Sequence, residues 1–270
     1  MPKVSEIAAV IEEFAPLSLA CAWDNVGLIV GDPSAEVKCA LAALDIDINV
    51  IKEAAEKNAE LIITHHPVIF TGIKEINVKT GRGEIIYELI KNDISVYCAH
   101  TNLDAADGGT NDVLFDILGL REKEILTVDG YPLGCAGVCD NKSSLSEYVE
   151  HITKLLNVSC VKYAGDPKKI IRKVGFAAGS ASGPEYFDMA LNAGCDLYIT
   201  GDISYHDAQD ALNKGLCIID AGHFATELPV VGVLRRIIEE ASTRLGWGLK
   251  IHEAKQEDVF KYSVGNSYNS

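Results

Sequence analysis

The fold is decided by residues 38–66, which read KCALAALDIDINVIKEAAEKNAELIITHH. Residues 38–45 form an apolar run typical of a buried strand, and residues 48–58 repeat apolar side chains at helical spacing. A second apolar run at residues 60–64 predicts another strand. A strand, a helix and a strand in this order predict a parallel pair with a helical crossover.

The pattern continues to a third strand and then occurs again. In the first copy, residues 83–92 predict a helix and residues 94–99 a strand, which completes a βαβαβ run. The second copy has strands at 170–178, 195–200 and 216–220 and helices at 184–192 and 206–214. Identities recur between the copies: Ala55, Asn58, Ala59, Leu61, Ile63 and Thr64 against Ala190, Asn192, Ala193, Leu197, Ile199 and Thr200. We therefore predict an α/β fold of two similar α/β lobes that arose by internal duplication, with mostly parallel sheets covered on both faces.

The boundary between the two lobes is predicted near residues 127–131. The first lobe would comprise residues 1–128 and the second lobe residues 129–245. A possible strand at residues 249–252 follows a Gly-Trp-Gly sequence and is predicted to return to the first lobe. Residues 246–270 would then complete the first lobe.

Composition and charge limit the possible functions. The chain of 270 residues has 39 acidic and 24 basic side chains, and its net charge of −15 predicts no general attraction to nucleic acid or an anionic membrane. It is 48% apolar, lacks a run of about 18 apolar residues and has glutamates near its start, so a soluble, cytoplasmic protein is expected. The eight cysteines mostly lie in apolar runs, which indicates reduced thiols in the core.

Side chains that can bind metal ions follow the predicted strands. Ligands of parallel sheets bind beyond the carboxyl ends of the strands, so these positions are the first candidates for a site. They are His65, His66, His100, Asn102 and Asp104 in the first copy, and Asp202, His206, His223 and Glu227 in the second. A single histidine in such a turn would indicate little, but five of the seven histidines lie at strand ends. The set therefore predicts a metal site.

The adjacent histidines suggest how that site is built. In an extended segment His65 and His66 would point to opposite sides, which suits two metal ions, or one ion and a supporting contact. Pro67 favours an extended backbone at His66. The expected ligands are His65, His66, Asp104, His223 and Glu227. Three imidazoles and two carboxylates suit zinc, iron or manganese better than calcium.

The last two of these ligands lie close to a proline. Because proline fits the first turn of a helix, Pro229 predicts a helix that begins near Thr226. His223 would then lie on the preceding loop and Glu227 at the start of the helix. Both side chains can still face the same site.

Several motifs in order along the chain resemble the Nif-three-like family, whose members are also called GTP cyclohydrolase I type 2 homologues or dinuclear metal-centre proteins. These motifs are HHPVIF at 65–70, HTNLDAA at 100–106 with GGTND at 108–112, and DAGHFATE at 220–227. WDNVGL at 23–28 and YITGD at 198–202 extend the resemblance across nearly the whole chain.

The resemblance implies two similar lobes with a dinuclear metal site in the cleft between them, and a ring-shaped homohexamer. By motif, the ligands of the two divalent ions (zinc, iron or manganese) would be His65, His66, Asp104, His223 and Glu227. Some relatives carry an inserted middle domain, which a chain of 270 residues is expected to lack.

The leading functional hypothesis is a metal-dependent hydrolase in which two ions activate water, with GTP, another nucleotide or a phosphoester as substrate. His100, Asp202 or His206 would then shuttle protons, although a supporting or structural role is an equal alternative. The second hypothesis is a metal-binding oligomeric scaffold or regulatory protein without turnover. A DNA-binding role ranks third, because the one notable basic cluster, at residues 168–173, reads as a solvated face.

Two other segments have structural interpretations. Residues 179–183, GSASG, could cradle a phosphate or form a plain glycine turn. Trp23 is expected to pack against the first lobe, with Asp24 and Asn25 making hydrogen bonds in a turn or to a ligand.

Overall fold

The computed structural model describes residues 1–263, which form ten α-helices and two β-sheets. The helices are α1 Val4–Phe14, α2 Ile48–Glu56, α3 Gly81–Lys91, α4 Thr101–Ala105, α5 Thr110–Ile117, α6 Leu145–Leu155, α7 Pro184–Asn192, α8 Tyr205–Asn213, α9 His223–Glu227 and α10 Val230–Leu245. The strands are β1 Gly27–Val30, β2 Cys39–Ala43, β3 Leu61–Thr64, β4 Ser95–Cys98, β5 Arg121–Val128, β6 Tyr131–Ser144, β7 Lys162–Ala164, β8 Ile170–Ser180, β9 Leu197–Gly201, β10 Cys217–Asp220 and β11 Lys250–Glu253. Within this part of the chain no helix is long and apolar enough to cross a membrane.

The first sheet has the strand order β1-β4-β3-β2-β11. Strands β2, β3, β4 and β11 are parallel, and β1 runs antiparallel to β4 at one edge. Strand β11 pairs with β2, with Lys250 opposite Cys39. The tail therefore returns to the first sheet.

The second sheet has the order β5-β6-β8-β9-β10-β7 and is mixed. Strands β8, β9 and β10 are parallel, whereas β5, β6 and β7 are antiparallel to their neighbours. The two-lobed α/β architecture is confirmed, but the prediction of mostly parallel strands holds for the first sheet only. The reason is local, because a hairpin and a short edge strand flank the second βαβαβ unit.

The sheets divide the chain differently from the predicted lobes. Asp129 and Gly130, at the predicted boundary, both have positive φ (52° and 87°) and form the tight turn between β5 and β6. The second sheet therefore begins at Arg121, before that turn. Helix α10 packs on the first sheet together with α1, so the chain leaves the second unit after α9 rather than at residue 245.

Both faces of each sheet are covered, as the alternation of side chains requires. In β3, Leu61 and Ile63 pack under α1 and α10, while Ile62 faces α2 and α3. In β9, Leu197 and Ile199 belong to the core under α5 and α6, and Tyr198 faces α7 and α8. The polar residues that follow these strands are left at the sheet edges, where they can meet.

Candidate metal centre

The strand ends of both sheets meet in one cleft of about 1750 Å³. The cluster at its base consists of His65, His66, His100, Asp104, His223 and Glu227. His65 and His66 follow β3, and His100 follows β4. In the second unit, His223 and Glu227 lie on α9, directly after β10. The fold therefore brings together all five expected ligands.

His65 and His66 do not point to opposite sides, as an extended backbone would require. The chain bends directly after β3 ends at Thr64, so strand alternation no longer applies. Both rings turn toward Glu227, with Nε2 of His65 3.7 Å from its Oε1 and Nε2 of His66 2.9 Å from its Oε2. The two histidines thus approach different oxygens of one carboxylate.

His223 lies within a helix rather than on a loop. Gly222 has φ 91°, and this left-handed conformation turns the chain into α9 at His223, one turn earlier than predicted. Because α9 ends at Glu227 and Pro229 caps the separate helix α10, His223 and Glu227 are four residues apart on one helical face. The distance from His223 Nε2 to Glu227 Oε2 is 2.9 Å.

The cluster divides into two sets of donors joined by Glu227. One set contains His65, Asp104 and Glu227 Oε1, with His65 Nε2 3.4 Å from Asp104 Oδ1. The other contains His66, His223 and Glu227 Oε2, and the two Nε2 atoms lie 3.2 Å apart. A carboxylate that offers one oxygen to each set can bridge two cations.

Each histidine of the cluster is held through its Nδ1 atom by a group that only accepts hydrogen bonds. The acceptors are the Ala99 carbonyl for His65, Asp45 for His66, Asp24 for His100 and Asp202 for His223, at 2.7–2.9 Å. Since each Nδ1 must donate its proton, each Nε2 is the atom left to face the cleft. This arrangement is typical of histidines that bind metal ions.

Three buried side-chain atoms of the cluster lack a hydrogen-bond partner. Among residues 1–263, His65 Nε2, Asp104 Oδ1 and Glu227 Oε2 are buried and have no hydrogen-bond partner of good geometry. Leaving three such atoms unpaired in one place is costly, which requires an explanation. Divalent cations bound at the two donor sets would satisfy all three atoms, His65 Nε2 and Asp104 Oδ1 in one set and Glu227 Oε2 in the other, so the residues present fit a metal centre.

The histidines and carboxylates of the cluster shift one another's pKa values. Burial opposes protonation of His66 and His223, but their close carboxylates raise the pKa of His66 to about 10 and that of His223 to about 9. Burial would raise the pKa of Glu227, but its three neighbouring histidines hold that pKa well below its ordinary value. At Asp104, burial dominates and raises the pKa of the carboxyl.

His100 lies beside both donor sets without contacting Glu227. Its ring centroid is 5.1 Å from that of His65 and 5.6 Å from that of His66. Asp24 accepts hydrogen bonds from His100 Nδ1 and from the backbone N–H and hydroxyl of Thr101. Burial would raise the pKa of Asp24, but these hydrogen bonds and the charge of His100 lower it to about 2. His100 is therefore oriented by a permanently charged carboxylate.

The other two candidates for proton transfer have different positions. Asp202 accepts the Nδ1 proton of His223 at 2.7 Å, so it orients a donor. His206 is exposed on α8, where its Nδ1 lies 3.3 Å from Gln209 Oε1, and it does not line the cleft. The structure thus leaves His206 outside the cluster, because α8 turns it toward solvent.

Three residues of the site are not among the ligands or proton-transfer residues predicted from the sequence. Asp45 follows β2 and would have been found by applying the strand-end rule to the first strand. Gly179, at φ 70°, lies so close to Glu227 that an added Cβ would overlap its Oε1, and no sequence pattern predicted this contact. Trp23 packs against Phe70 and His100 of the first lobe, but it is also 59% exposed and lines the cleft, a position that the sequence did not indicate.

Known proteins resemble this chain over nearly its full length. Residues 2–258 match the family model described as Duf34/NIF3 (NGG1p interacting factor 3). A relative from Clostridium acetobutylicum, named "GTP cyclohydrolase 1 type 2 homolog", is 39% identical over 249 residues, which are 90% of this chain and 92% of the relative. A relative of the same name from Clostridium perfringens is 39% identical over 267 residues, which are 96% of this chain and 99% of the relative.

A solved structure gives the same result for the fold. The crystal structure of a Bacillus cereus protein related to NIF3 superposes with a TM-score of 0.92 at 26% sequence identity. The match covers 97% of this chain and 99% of that one.

Proposed function

The chain belongs to the Duf34/NIF3 family, and from that premise we propose that it is a dinuclear metal-dependent hydrolase acting on a nucleotide or another phosphoester. The observation that carries this proposal is the convergence of Nε2 atoms on a bridging carboxylate, with every Nδ1 anchored. Such a site is preorganised for cations, because its donors are already oriented before an ion binds.

Two divalent ions per chain are proposed, one for each donor set. The mixture of imidazole nitrogens and carboxylate oxygens favours zinc, iron or manganese. When bound, such ions supply Lewis-acid activation of water and stabilise negative charge that develops on a substrate. Glu227 would hold the two ions together, and Asp45 and Asp202 would keep His66 and His223 in their binding orientation.

His100 is the best-placed residue for proton transfer. Its Nδ1 donates to Asp24, which orients the ring and leaves Nε2 as the atom that would exchange a proton with a substrate in the cleft. Asp202 is proposed as a positioning residue only, since its carboxylate acts through His223.

The substrate class is supported by the cleft and by the names of relatives. Two relatives carry the name "GTP cyclohydrolase 1 type 2 homolog". A cleft of about 1750 Å³ can hold a nucleotide. Arg82 and Lys162 line the cleft, but the net charge of −15 repels anions. Bound cations would therefore provide most of the attraction for a phosphate.

The test measures hydrolysis of a panel of nucleotides and phosphodiesters. It compares protein that a chelator has freed of metal with protein reloaded with zinc, iron or manganese. We expect hydrolysis only after reloading, and its loss in Glu227→Gln. Glu240→Gln is the matched control, because Glu240 is exposed on α10 and pairs only with Arg236 among the described residues. Fully loaded protein that hydrolyses no member of the panel would contradict the proposal.

A metal-binding scaffold is the second candidate, and the exposed apolar side chains of one segment favour it. Five apolar side chains between residues 73 and 90 are exposed: Ile73, Ile76, Val78, Tyr87 and Ile90. Exposed apolar patches commonly mark interaction surfaces. A scaffold would lose partner binding on Ile76→Asp but keep it in Glu227→Ala, whereas loss of turnover in Glu227→Ala would support the hydrolase.

The exposed apolar side chains between residues 73 and 90 also support self-association. We propose a homo-oligomer, a hexamer by family resemblance, and no binding of nucleic acid because of the strongly negative net charge.

A further inference from the structure

Two large aromatic side chains are exposed at the cleft beside the candidate metal centre. Trp23 is 59% exposed and Phe70 is 43% exposed, although such residues usually bury most of their surface. Their ring centroids are 5.7 Å apart at an interplanar angle of 53°, and both rings line the cleft. Together Trp23 and Phe70 form what we call the aromatic platform.

The backbone on both sides of the platform is held in place. Asn25 Nδ2 donates to the carbonyl of Ile69 at 2.5 Å, which ties the turn after Trp23 to the residue before Phe70. Asp24, next to Trp23, accepts three hydrogen bonds from His100 and Thr101. The platform is therefore preorganised, and a ligand that stacks on it would lose little free energy to ordering the protein.

The platform lies next to the donor sets. The rings of Trp23 and Phe70 are each 6.3 Å from the ring of His100. His100 in turn is 5.1 Å from His65 and 5.6 Å from His66, centroid to centroid. One imidazole thus separates the platform from the metal ligands, which leaves room for a short spacer between a stacked ring and a group at the ions.

We propose that Trp23 and Phe70 determine substrate specificity by stacking on a planar aromatic ring of a phosphate ester whose phosphate lies at the metal centre. This inference rests on the proposed function, because it takes the donor sets as the binding site of the anionic group. Both faces of an exposed indole are apolar and polarisable, which suits a nucleobase or a similar heterocycle. A sugar phosphate without an aromatic base would use only the metal end of the cleft.

The test uses two probes, guanosine 5′-monophosphate and ribose 5-phosphate. They share the sugar phosphate, but only the first carries an aromatic base. The chain has two tryptophans, so Trp247→Phe leaves Trp23 as the single indole fluorophore. In metal-loaded Trp247→Phe protein, guanosine monophosphate should change the emission of Trp23 and ribose 5-phosphate should not. Calorimetry then gives the affinity of each probe for the variants.

Trp23→Ala and Phe70→Ala should each weaken guanosine monophosphate binding by about 5- to 150-fold, the usual range for loss of one stacking side chain. Affinity for ribose 5-phosphate should change less than about twofold, since it makes no stacking contact. Tyr205→Ala is the control, because Tyr205 is a 73% exposed aromatic residue that does not line the cleft. It should leave both affinities unchanged.

Unchanged affinity for guanosine monophosphate in Trp23→Ala, equal losses for both probes, or no binding of guanosine monophosphate to the loaded protein would overturn the proposal. The metal content of each variant is measured in parallel. Failure of loaded protein to hydrolyse any compound would count against the proposed hydrolase alone, because stacking is scored by binding.

Discussion

Glu227 is the residue on which both donor sets depend. Its side chain is 5% exposed, and its two oxygens contact His65 on one side and His66 and His223 on the other. A buried carboxylate with its pKa held this low keeps a negative charge at the base of the cleft. Neighbouring imidazolium groups compensate this charge in the metal-free protein, and bound cations would replace them.

Gly179→Ala tests how closely the site is packed. An added Cβ at Gly179 would overlap Glu227 Oε1 and lie 3.3 Å from His223 Nε2, so we expect the variant to lose most of its bound metal. Gly194→Ala is the control, because Gly194 also has a positive φ (77°) but has open space around it. It should cost about 1–2 kcal/mol of unfolding free energy and retain the metal. Equal metal content in both variants would show that the site tolerates displacement of Glu227.

The raised pKa values of His66 and His223 predict that metal binding depends on pH. Below about 9–10 the metal-free histidines hold protons that a cation must displace from Nε2. Binding at pH 7.5 should therefore release at least about one proton per chain, and apparent affinity should rise with pH up to that range. Calorimetry in buffers of different ionisation enthalpy measures the number of protons. Binding without proton release would contradict the assigned protonation states.

Most of the candidate site could be predicted from residue types at strand ends. His65, Asp104 and Glu227 were found in this way, because the carboxyl ends of parallel strands meet in space. The rule did not separate His223, which the fold brings to the cleft, from His206, which α8 turns away. That distinction depends on the direction of a helix face, which no local pattern specifies.

At the level of elements, the repeat is longer than the predicted βαβαβ run. Both units have the order helix, strand, strand, helix, strand, helix, strand, from α1 to β4 and from α6 to β10. In each unit the second element, β1 or β7, pairs antiparallel with the last strand. The edge strand β1 has only four residues, so its periodicity could not be recognised in the sequence.

Asn111, on α5, connects the elements of the two units. Its side chain donates to the carbonyls of Asp104 and Leu133 and accepts from the N–H of Ala178, and it is 3% exposed. Asn111→Ala leaves buried backbone groups unpaired and should lower the unfolding free energy by about 2–4 kcal/mol. Denaturant unfolding of the metal-free protein measures the loss.

Asn213→Ala is the control for this prediction, because Asn213 is exposed at the end of α8. Its unfolding free energy should stay within about 0.5 kcal/mol of the parent value. A similar result for Asn111→Ala would show that the two units do not depend on this connection.

For the whole molecule, net charge and exposed apolar side chains have opposite effects on self-association. The net charge of −15 disfavours close approach of two chains, whereas apolar residues between Ile73 and Ile90 favour it. We expect native mass spectrometry to give six times the chain mass of 29.1 kDa. Because burial of apolar surface would drive the proposed assembly, the oligomer should persist or strengthen at high salt. A monomer at micromolar concentration would contradict the proposed assembly.

Glu227 is proposed to join two donor sets, each of which would hold one divalent ion. The most direct measurement is metal content per chain after removal of metal and reloading, in the parent, His223→Ala and Glu227→Ala. We expect about two ions in the parent, about one in His223→Ala and fewer than one in Glu227→Ala. A single ion in the parent that is unaffected by His223→Ala, or full content in Glu227→Ala, would contradict it.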